Sequence, residues 1–192
     1  MKTPEEFWRW FSAEEPRLRA GDPRVVTGEI EDRVRSLDVR IGVELGDAVV
    51  RELIFTVYVQ VDAFAVVKAL VAAAPKFDHW RMIALKPARG FDFAIEVDGR
   101  SVDASAITFE PLDAPAMPAA IGIRCFVDET LESNANATGI LRLIIATGIG
   151  EEAAARIAHL EVAPRTRAPR EPMQIATLRD FIDWHDQRTL KN

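Results

Sequence analysis

The chain has 192 residues, 48% of them hydrophobic and 28% charged, which suits one compact domain with a substantial core. Twenty-four Lys and Arg against thirty Asp and Glu give a net charge of −6, an acidic balance that argues against broad binding to nucleic acid or anionic membranes. The one cysteine, Cys125, excludes an internal disulfide and a Cys-based zinc site, and its apolar setting AIGIRCFV marks it as a small buried hydrophobe.

In chain order, Thr3-Pro4-Glu5-Glu6 is a helix start. Thr3 can cap, Pro4 suits the first turn, and Glu6 completes a capping box. Phe7, Phe11 and Leu18 then share a helical face with Trp8 beside them, and Gly21 ends the helix. The opening has no signal-like apolar region, and no apolar run approaches the ~18–20 residues of a membrane span, so the expected location is the cytoplasm. Asp22-Pro23 starts a second helix with Val26, Ile30, Val34 and Leu37 as its apolar stripe.

The period then changes. Residues 40–45 alternate as a half-buried strand does, Gly46-Asp47 signals a turn, and ELIFTVYV completes a hairpin. Asp62 is the expected cap of a third helix, AFAVVKALVAAA, closed by Pro75. Strand-like runs follow in WRMIAL, FDFAIEV, AITFEPL and AIGIRCFV, with Asp98-Gly99 as a second hairpin turn. Ser133–Asn136 resembles another helix start, and AAARIAHLEVAP is expected to finish as a strand near 156–162. Residues 163–174, APRTRAPREPMQ, form a Pro/Arg-rich connection to a final helix that begins at Thr177 and carries Leu178, Phe181, Ile182 and His185 on one side. The expectation is a single globular domain, 1–192, of the α+β class: a mostly antiparallel sheet with helices packed on one side and at both termini, and no internal repeat.

The stretch LIIATGIGEEAAARI poses the main functional question, since Gly148-x-Gly150-x-x-Ala153 has the glycine spacing of a dinucleotide-binding turn. That chemistry needs a strand before the glycines, a helix N-terminus facing the pyrophosphate, and an acidic residue about 20 positions on for the ribose. Here Glu151 and Glu152 would repel the phosphates, and the next suitably placed acid, Glu161, lies only 13 positions after Gly148. The favoured reading is a helix end, because Ile140, Leu141, Ile144, Ile145 and Ile149 have helical spacing. A small ligand or nucleotide bound at Gly148 and Gly150 is the alternative.

No catalytic signature is legible, and no cofactor is implied. His79, His159 and His185 are far apart with no ligand spacing, so no metal site is expected. Arg165, Arg167 and Arg170 could hold an anion but read more simply as a solvated surface loop. In FWRWF, Phe7, Trp8 and Phe11 can pack inward while Trp10 points elsewhere, so Trp10 is either covered by the C-terminal helix, near Trp184, or a partner contact.

Trp8, Trp10 and Phe11, then Ala74-Pro75 and the strand-opening Trp80, then Gly150-Glu151 after an apolar helix, together resemble a group of uncharacterised bacterial proteins. The resemblance implies an α+β fold with terminal helices and no particular activity. The chain departs from that pattern at Ala146, where an Asp is expected. Function is therefore read as non-covalent interaction with a protein partner, regulatory or immunity-like, or as self-association, without nucleic acid or membrane as partner.

Overall fold

The computed structural model describes residues 3–46, 50–113, 117 and 119–189, and divides the chain into two compact units, 1–87 and 88–192. The architecture is α+β. Among the described residues four of six strand pairings are antiparallel, and helices stand toward both ends of the chain.

In the first unit, α1 (Pro4–Ala20) starts as expected, with the Thr3 hydroxyl accepting from the Glu6 amide at 3.3 Å. Asp22 caps α2 (Pro23–Val34) by accepting from the amides of Arg24 and Val25. β1 (Gly42–Gly46) pairs antiparallel with β2 (Arg51–Thr56), while Asp47 of the expected turn lies outside the described residues. The chain then crosses through α3 (Phe64–Ala72) to β3 (Trp80–Ala84), which pairs parallel with β2.

Asp62 does not cap α3. It lies inside a preceding 3-10 turn, Val61–Ala63, and its carboxylate is drawn to the Arg40 guanidinium. A charge partner displaced a backbone one.

Phe7 and Phe11 are fully buried, and each such side chain contributes roughly 1.5–3 kcal/mol. They meet Trp8, Phe55, Phe77 and Trp80 in edge-on ring contacts. Both buried indoles keep a partner for their N–H: Trp8 donates to the Leu70 carbonyl at 2.7 Å and Trp80 to Glu15 at 3.0 Å.

In the second unit, β4 (Ala94–Val97) and β5 (Arg100–Asp103) form a hairpin. Its turn residues Asp98 and Gly99 both have positive φ, 51° and 74°, as a two-residue turn of the primed type needs. β6 (Thr108–Leu112) pairs antiparallel with β7 (Ile121–Val127), and β7 pairs parallel with β8 (Ile157–Pro164). Between β7 and β8 run α4 (Glu129–Glu132), α5 (Ala137–Ile149) and α6 (Glu151–Ala154). The sequence reading missed α4, which Asp128 caps through the Leu131 amide. Asn136 precedes α5 without a side-chain cap bond, its own amide being taken up by Asn134.

β9 (Met173–Gln174) adds a short antiparallel edge to β6, and α7 (Leu178–Thr189) follows with Leu178 and Ile182 buried. β9 covers only Thr108 and Phe109, and Pro111 further along β6 suits an edge because it has no N–H to offer. Both units share one connectivity: an antiparallel pair, a helical crossover and a parallel third strand, in the orders β1-β2-β3 and β6-β7-β8. No sequence repeat accompanies it.

Candidate functional site

The glycine turn is occupied by the chain itself. Residues 137–149 before Gly150 are helical, so the strand that a dinucleotide turn requires is absent at that place. Gly148 is buried on α5 with the Phe91 ring against its Cα, where any side chain would overlap the ring. The carbonyls at this helix end are already engaged. Arg89 N–H donates to the Thr147 oxygen at 2.9 Å, Gly90 N–H to Gly148 at 3.0 Å, and Arg179 to Ile149 at 3.4 Å. Gly150, with φ 86° and ψ 152°, sits between α5 and the one-turn α6 in a conformation open essentially to glycine alone. These two glycines therefore have structural work: one admits an aromatic ring, the other reverses the chain.

Trp10 is half-buried. Its ring lies 5.7 Å from Phe7 and 6.3 Å from Phe11, and the Arg33 guanidinium stands 5.0 Å above it from α2. A cation over an indole contributes about 0.5–1 kcal/mol at a partly exposed site. Most of this side chain is thus engaged in packing, with part of the ring left at the surface.

Among the described residues a more exposed tryptophan stands elsewhere. Trp184 on α7 is 52% exposed, tilted against Phe181 at 6.1 Å, with the Arg188 guanidinium 5.4 Å from its ring. Phe181 in turn packs on Phe109 of β6 at 5.7 Å. One end of this aromatic line is anchored in the sheet, and the other faces solvent. Sequence reasoning gave Trp184 no contact role, naming it only as a neighbour that would cover Trp10. The signal was its place: Leu178, Phe181, Ile182 and His185 fill one side of the helix, and Trp184 falls outside that stripe.

Three further groupings carry charge or strain. Across the four-stranded sheet, Arg124 on β7 bonds Glu110 on β6 and Glu161 on β8, each at 2.7 Å, and His159 lies 3.1 Å from Glu161. The His159 ring and the Arg124 guanidinium hold the Glu161 carboxyl below the ordinary range. The register puts Glu110, Arg124 and Glu161 in one cross-strand row, so strand alternation makes the cluster.

In the first unit, Lys86 is buried and lies 2.5 Å from Glu44. In the same unit the backbone takes positive φ at Tyr58 (52°), Val59 (69°) and Leu85 (64°), and for a β-branched residue such as Val59 that conformation is strained. These residues stand where the parallel strands β2 and β3 end.

Of the arginine trio, Arg165 donates to the Ala106 carbonyl at 2.9 Å, while Arg167 and Arg170 are exposed. The structure does not gather the three histidines into a ligand set: among the described residues no group of three or more His, Cys, Asp and Glu is placed to hold a metal ion. Cys125 is fully buried, and burial pushes its thiol up to about 12. Among the described residues no helix is long and apolar enough to cross a membrane. Compared with protein-family models, curated proteins and solved structures, the chain matches none of them.

Proposed function

We propose that the protein acts by non-covalent binding to a protein partner, in a regulatory role in the cytoplasm, with the Trp184 face of α7 as the principal contact. The observation that carries this reading is the half-exposed Trp184 itself, held between Phe181 and Arg188. Tryptophan and arginine dominate the energetics of protein interfaces, and an aromatic already fixed by its neighbours loses little conformational freedom on binding. Trp10 enters as a second, smaller contact through the part of its ring that Arg33 and the phenylalanines leave uncovered. A single buried thiol at Cys125 suits a reducing compartment.

The test compares wild type with Trp184→Ala and Trp10→Ala, in capture of partners and in sedimentation. A partner retained by wild type and lost by a Trp184→Ala variant of unchanged circular dichroism supports the reading. Capture untouched by either substitution would sink it. A dimer of wild type that Trp184→Ala dissociates would reassign the face to a second copy of the chain.

A further inference from the structure

We draw no further inference here: the strongest candidate, the row of His159, Glu161, Arg124 and Glu110 across the four-stranded sheet, is a ladder of cross-strand ion pairs whose members satisfy one another, and nothing in the structure shows a ligand that it would meet.

Discussion

Gly148 and Gly150 sit two positions apart and do different things, which substitution separates. Alanine at Gly148 must push the Phe91 ring away from α5, an overpacking expected to cost about 1–3 kcal/mol. Alanine at Gly150 forces a side chain into φ 86°, ψ 152°, a strain of order 1–3 kcal/mol. Urea unfolding of the two variants checks both. Phe91→Ala should relieve the penalty of Gly148→Ala and leave the backbone strain of Gly150→Ala in place, since the Phe91 ring is what Gly148→Ala meets.

Asp38 offers a pH test at the same scale. The Arg40 guanidinium and the Arg40 amide hold its carboxyl at about 2, against an ordinary 3.8. A depressed folded value means the contribution is complete above the unfolded value and is lost as pH falls from about 4 toward 2. Asp38→Asn keeps an oxygen for the amide but loses the charge, so its stability should vary less with pH across that window. The midpoint of urea unfolding, followed against pH for both proteins, measures this directly. Cys125 should resist thiol reagents at pH 8 in the folded protein and react at once in denaturant, because burial in β7 both raises its pKa and blocks access.

At the scale of elements, the two tryptophan helices should part company. Trp10→Ala removes ring packing on Phe7 and Phe11, and we expect a loss of about 1–3 kcal/mol; Trp184→Ala, at an exposed site, should stay within ~0.5 kcal/mol. Thermal unfolding of each variant gives the comparison and also validates the binding test. The elements themselves were largely legible. The α1 cap at Thr3, the α2 cap at Asp22, the Asp98-Gly99 hairpin and the α5 helix end all follow from local chemistry that a few consecutive residues carry. Asp62 was misread because its partner, Arg40, is 22 residues away in sequence, and no local pattern announces an ion pair of that separation. α4 was missed for a related reason: a four-residue helix has too few positions to show a period. The candidate site was less legible than the elements. Trp10 drew attention because FWRWF is conspicuous, yet exposure depends on what α2 places over the ring, and there Arg33 does so.

For the whole molecule, the expectation from sequence is one domain, 1–192, and the structure divides into two compact units with separate sheets. We expect a single cooperative calorimetric transition, the behaviour of one domain; two resolved transitions would make the units energetically independent. The aromatic core of the first unit draws on α1, β2 and β3 and the residues between them, so a fault such as Trp8→Ala should be felt throughout that unit. Composition, caps, turns and periodicity determined by themselves the α+β class, the terminal helices, the burial of Cys125 and the ending of α5 at the glycines, because each depends on neighbours within a turn or two of the chain. Only the tertiary structure decided that β2–α3–β3 and β7–α5–β8 are parallel crossovers, that Glu110, Arg124 and Glu161 form one row, and that Trp184 rather than Trp10 is the more exposed ring. Those outcomes rest on strand pairing and helix docking between residues distant in sequence, and a local pattern holds no record of which distant surface will cover it.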